Sequence, residues 1–108
     1  MKAFVGADLI NGSTDVIQKN HILIVDGANI HSIIPNTDEN QDLLESMEEI
    51  YNVQGCTILP GLIDCHEHVA SKNYELITRW NLDEPASTTS IRTFKVLEDT
   101  LQSGYTSV

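Results

Sequence analysis

The sequence predicts a mixed fold, with β structure in the first half and α/β in the second. A small β-sandwich-like domain is expected over residues 1–56, and residues 57–108 are expected to form a strand, connection, helix and strand. Three observations carry this reading. β-branched runs in the first third are broken by Asn11-Gly12 and Asp26-Gly27, which are tight-turn dipeptides. An apolar run is interrupted by Pro60-Gly61, where proline has no N–H for a sheet ladder. Near the end, Ile91, Phe94, Leu97 and Leu101 recur at helical spacing between two strand-like segments. Strand, helix, strand is the unit from which parallel sheets are built.

In chain order, residues 2–8 predict the first strand and Asn11-Gly12 its turn. His21-Ile22-Leu23-Ile24-Val25 predicts a second strand, and Asp26-Gly27 turns it into a hairpin partner over residues 30–34 that stops at Pro35. Meanders of this kind build a small sheet or sandwich. Leu43, Leu44, Met47 and Ile50 fit a short amphipathic turn or helix, although their polar neighbours also suit a loop. Residues 51–53 predict a returning strand closed by Gly55, and residues 57–68 a central strand containing the Pro-Gly turn. A long irregular connection follows over residues 69–84, with a helical turn through Tyr74, Leu76, Ile77 and Trp80. The helix at residues 87–103 has Ser87 or Thr88 as its cap and Gly104 as its stop, and residues 105–108 begin another strand.

Composition narrows the function classes. A net charge of −10, from 16 acids against 6 bases, argues against nucleic acid or an anionic membrane surface as partner. No apolar run approaches the roughly 18–20 residues of a membrane span, and the first residues lack a signal-peptide pattern, so a cytoplasmic location is expected. Acids concentrate over residues 38–49 with no base among them, the pattern of a solvated, mobile surface segment. Cys56 and Cys65 flank the Pro-Gly turn and are expected to be buried or half-buried free thiols.

The stretch with the most chemistry is Leu59-Pro60-Gly61-Leu62-Ile63-Asp64-Cys65-His66-Glu67-His68. In a strand, Asp64, His66 and His68 project from one face, and Cys65 and Glu67 from the other. Two adjacent imidazoles at a strand end make half of a divalent metal site. This stretch resembles the signature of the metal-dependent amidohydrolase superfamily: a hydrophobic residue, Pro-Gly-Leu-Ile-Asp, a variable residue, then His-x-His. The match holds at Leu59, Pro60, Gly61, Leu62, Ile63, Asp64, His66 and His68. Residues 3–12 are similar to the superfamily's opening strand and turn, and residues 101–108 to the segment entering its second barrel strand. Within the superfamily the chain is most similar to imidazolonepropionase- and prolidase-like members.

The resemblance implies that residues 57–108 begin a (β/α)8 barrel of TIM type, incomplete in this chain. It implies that His66 and His68 are metal ligands at the end of the first barrel strand, with Asp64 as an orienting residue. It also implies hydrolysis of a C–N bond (amide, peptide-like or cyclic amide) in a small-molecule substrate by metal-activated water. Zinc is the expected ion, and iron, manganese and nickel also suit imidazole ligands. The remaining ligands and the catalytic acid or base would lie on later strands, so the 108 residues alone are expected to be inactive. The alternative is a non-catalytic assembly module, a homo-oligomer formed through unpaired strands. A metal carrier is poorer, since two ligands per chain fill half a tetrahedral site.

Blander readings apply elsewhere. His21 and His31 lie outside any motif and are expected to be surface or core histidines. Glu67 is expected to face solvent or helix, while Tyr74, Arg79 and Trp80 are expected to pack rather than touch substrate. The stripe Ile91, Phe94, Leu97 and Leu101 is expected to be core.

Overall fold

The computed structural model describes residues 1–70 and 85–108, in two compact units, Met1–Pro60 and Gly61–Val108. The helical turn expected through Tyr74, Leu76, Ile77 and Trp80 lies outside the described residues.

The first unit is built around β1 (Lys2–Leu9). Its partner β2 (Gln18–Asp26) is antiparallel, and β2 forms the expected hairpin with β3 (Asn29–Pro35). On the other edge of β1 lie β4 (Glu49–Asn52) and β5 (Thr57–Ile58), and both run parallel to it. This differs from the expected meander. A 3₁₀ helix, Asp38–Ser46, carries the chain from β3 back to the start of β1, so β4 enters in the same direction as β1. Thr57–Ile58 belongs to this sheet rather than to the following unit. The change of unit falls at Pro60-Gly61, where the Pro60 nitrogen cannot continue the ladder.

Alternation along the strands decides the core. Ala3, Ala7 and Leu9 of β1 and Ile22 and Ile24 of β2 are buried, with Ala3 and Ile22 at 0% exposure. Val5, Ile34, Leu44 and Met47 pack against Ala3, Ile22 and Ile24. In the acidic segment Leu44 and Met47 pack against the core while the carboxylates are exposed, as expected of a solvated surface. A bulge at Gly6 (φ 87°) gives β1 one residue more than β2 between the pairs Val5–Ile22 and Ala7–His21. Phe4 stacks on Tyr51 across β1 and β4 at 5.0 Å.

Two carboxylates of this unit, Glu49 at the end of the acidic run and Asp8 of β1, are paired with lysines. Lys2 Nζ lies 2.8 Å from Glu49, which also accepts from the Tyr51 hydroxyl. Lys19 Nζ lies 2.5 Å from half-buried Asp8, and the Asn20 N–H donates to the same carboxylate at 3.1 Å. Lys19, then the Asn20 amide, hold Asp8 below the ordinary carboxylate range; Lys2, then Tyr51, do the same for Glu49. A carboxyl depressed by folding contributes stability that is complete above about pH 4 and is lost as pH falls through its folded value. Lys2 is raised, chiefly by its hydrogen bond to Glu49, so its share is lost only as pH rises through the folded lysine value. The urea midpoint of the sheet should therefore drop below about pH 4, and Asp8→Asn should flatten that acid limb. Superimposable acid limbs for the two proteins would remove Asp8 from the account.

The second unit pairs β6 (Leu62–Ile63) in parallel with β7 (Tyr105–Ser107), and α1 (Ala86–Gln102) precedes β7. Leu62 N–H donates to Gly104 O at 2.9 Å and Asp64 N–H to Ser107 O at 3.0 Å. Close approach requires glycine at position 61, because an added Cβ would fall within 2.7 Å of the Thr106 Cβ and closer still to its branches. Neither Ser87 nor Thr88 caps α1. The helix starts one residue earlier, and the Pro85 carbonyl accepts from the Thr88 and Thr89 amides. Its end is as expected, at Gly104 with φ 95°. The stripe is not core in this unit: Ile91 and Phe94 are 73% and 72% exposed, and Leu97 and Leu101 are exposed too.

Candidate metal centre

The strand predicted through His68 stops at Ile63, and the two histidines lie in the bend beyond it. The last ladder bond with β7 is the one from Asp64 N–H to Ser107 O. At the next step the chain turns on itself, and Asp64 Oδ1 accepts from the His66 N–H at 2.9 Å. Aspartate is suited to this because its short carboxylate reaches the amide two residues on and offers it an alternative to a ladder.

Beyond this turn two side chains converge. His66 Nε2 and His68 Nε2 are 2.7 Å apart, with ring centroids at 4.7 Å and planes inclined by 56°. In that contact one Nε2 carries hydrogen and the other accepts it. Two imidazole nitrogens on one tetrahedral zinc, each at about 2.0–2.1 Å, would lie roughly 3.3 Å apart. To receive an ion the observed pair needs a small outward rotation of two exposed rings and transfer of the shared hydrogen off Nε2, and the donor set fits zinc and its neighbours. Among the described residues, no third His, Cys, Asp or Glu joins the pair.

Asp64 is thus near both rings in sequence, but its contact is with the His66 backbone. Glu67 is exposed. Cys56 and Cys65 are free and exposed rather than buried. Half-buried His21 contacts Lys19 O through Nδ1 at 2.8 Å, His31 is exposed, and among the described residues neither belongs to a metal-ligating group of three. Tyr74, Arg79 and Trp80 lie outside the described residues. Sequence reasoning missed Gly61 and Ser107 as supports of the site, although the Pro-Gly pair and an aspartate two residues before a histidine were available signals.

No family model matches the chain. Over 50 residues it is 44% identical to imidazolonepropionase of Salmonella schwarzengrund (strain CVM19633), a match covering 46% of this chain and 11% of that protein. A prolidase crystallised with N-methylphosphonate-L-proline is similar at a TM-score of 0.78 and 26% identity, over 99% of this chain and 24% of the prolidase. A Xaa-Pro dipeptidase with methionine bound in its active site shares the fold at a TM-score of 0.78 and 22% identity, over 99% and 26% of the two chains. The chain resembles the N-terminal portion of the imidazolonepropionase- and prolidase-like amidohydrolases. It spans about a tenth of the curated relative and about a quarter of the solved structures.

Proposed function

We propose that this chain supplies the first two metal ligands, His66 and His68, of an amidohydrolase that cleaves a C–N bond in a small molecule. The observation that carries the reading is the 2.7 Å convergence of the two Nε2 atoms just past the C-terminal end of β6. That is where parallel α/β barrels place their chemistry. On this reading β6, α1 and β7 begin a (β/α)8 barrel, and the Met1–Pro60 unit is part of a β-sandwich-like domain. A divalent ion held there would activate water and polarise a carbonyl. The chain's own contribution is to hold two imidazole nitrogens in place and to leave them accessible. Amide, peptide-like and cyclic-amide substrates are all compatible with it, and a cytoplasmic location is part of the proposal. Two imidazoles fill half of a tetrahedral site, so the 108 residues are proposed to be inactive without ligands from later strands.

The second reading is an assembly module in which copies bury what the stripe on α1 leaves exposed, and it rests on the exposure of Ile91 and Phe94. One experiment addresses both readings: zinc per chain by elemental analysis on size-fractionated protein, for wild type and for His66→Ala/His68→Ala. Zinc that is retained by the wild type and lost in the double variant, with no amide hydrolysis by the chain alone, is the expected result. Equal zinc in the two proteins would sink the ligand assignment. A concentration-dependent oligomer with no zinc in any fraction would favour the assembly module.

A further inference from the structure

The two imidazoles converge although nothing in the strand pleat aligns them, because β6 has ended before either histidine. Asp64 is the residue at which order passes from one system to the other. Its backbone N–H is fixed by Ser107 O of β7 at 3.0 Å, and its side-chain Oδ1 fixes the His66 N–H at 2.9 Å. The first bond makes Asp64 the last residue held by the parallel pair. The second closes a turn of two residues, which sets where His66 leaves the backbone and so where its ring meets that of His68.

From these two bonds we infer that Asp64 is a positioning residue that couples the β6–β7 pair to the His66–His68 geometry through its side-chain turn, not through its charge and not as a ligand. The inference deepens the proposed metal centre and, where it concerns metal affinity, rests on that reading. Two substitutions separate turn from charge. Asparagine keeps an oxygen at the same reach and can accept the His66 amide, but it has no charge. Glutamate keeps the charge, but its carboxylate lies one methylene further out.

The test measures wild type, Asp64→Asn, Asp64→Glu and Asp64→Ala at one pH, first without metal. The readouts are His66 amide exchange and the ring-to-ring nuclear Overhauser effect between His66 and His68. Leu62 amide exchange serves as the control for an intact β6–β7 pair. Asp64→Asn should match wild type. Asp64→Glu and Asp64→Ala should speed His66 exchange about tenfold, the equivalent of one ordinary hydrogen bond, and lose the ring contact. In a parallel zinc titration, the same two variants should bind about 10- to 100-fold more weakly than wild type, and Asp64→Asn should not. Loss in Asp64→Asn with retention in Asp64→Glu would overturn the inference in favour of a charge role. A ring contact unchanged in all three variants would overturn it outright. If the wild type binds no zinc while the metal-free ring contact still follows the predicted order, the metal centre fails and the positioning role stands.

Discussion

Ile22→Ala is expected to unfold the Met1–Pro60 sheet at ambient temperature. Ile22 is the largest fully buried side chain among the described residues, and it packs with Ala3 and Ile24 at the centre of the core. Truncating a buried isoleucine to alanine costs about 2–5 kcal/mol, the lost transfer energy plus the cavity left behind. Collapse around the gap is limited here because its core neighbour on β1, Ala3, is already small. A core in a unit of this size rarely supplies more than about 3–5 kcal/mol, so the loss consumes most of it. Ile22→Val should cost about 0.5–1.5 kcal/mol and leave a folded sheet. Urea titration followed by far-ultraviolet circular dichroism would show the graded order. A shift of the same size for alanine and valine would contradict this placement of the core.

Gly61→Ala is expected to part β6 from β7 and, with them, to scatter the two imidazoles. The new methyl group would collide with the Thr106 side chain, whose Cβ itself would lie only 2.7 Å away. Threonine is short and branched at that carbon, so no rotamer change removes the overlap and the backbone has to move. Overpacking of this kind typically costs about 1–3 kcal/mol, and a strand pair this short has little with which to resist it. The Leu62 and Asp64 amides, which donate to Gly104 O and Ser107 O, should lose their protection from hydrogen exchange. Adding Thr106→Gly removes the colliding atoms and should restore much of that protection. If the double variant exchanges as fast as the single one, the close approach is not what position 61 provides.

Much of the fold was legible from local chemistry. The β2–β3 hairpin followed from Asp26-Gly27, and the end of α1 from Gly104, because each is decided by a dihedral angle that few residues adopt. The parallel placement of β4 and β5 on β1 was not legible, since residues 49–52 and 57–58 carry no mark of which strand they will join. The acidic run was legible as a solvated surface with a short helical stretch, but its tertiary partners were not. Its partners Lys2 and the core-facing positions of Leu44 and Met47 exist only once β1 is in place. At the site, His66 and His68 were correctly expected to meet, but for the wrong reason. The pleat was expected to align them, and a side-chain turn at Asp64 does so instead. Burial of the stripe on α1 was read from periodicity, which identifies an apolar face without supplying what covers it.

The position of β1 between antiparallel β2 and parallel β4 and β5 has a consequence for how the chain reaches this state. The pairing of β1 with β2 closes over a short loop, whereas β4 reaches β1 only after the hairpin and the 3₁₀ helix have been traversed. Loop-closure entropy rises by only about 0.6 kcal/mol per doubling of length, so the distant partners cost little at equilibrium. Rates respond more strongly, because contacts remote in sequence must form before they are rewarded. The parallel additions to β1 therefore burden the speed of folding more than the stability of the folded sheet.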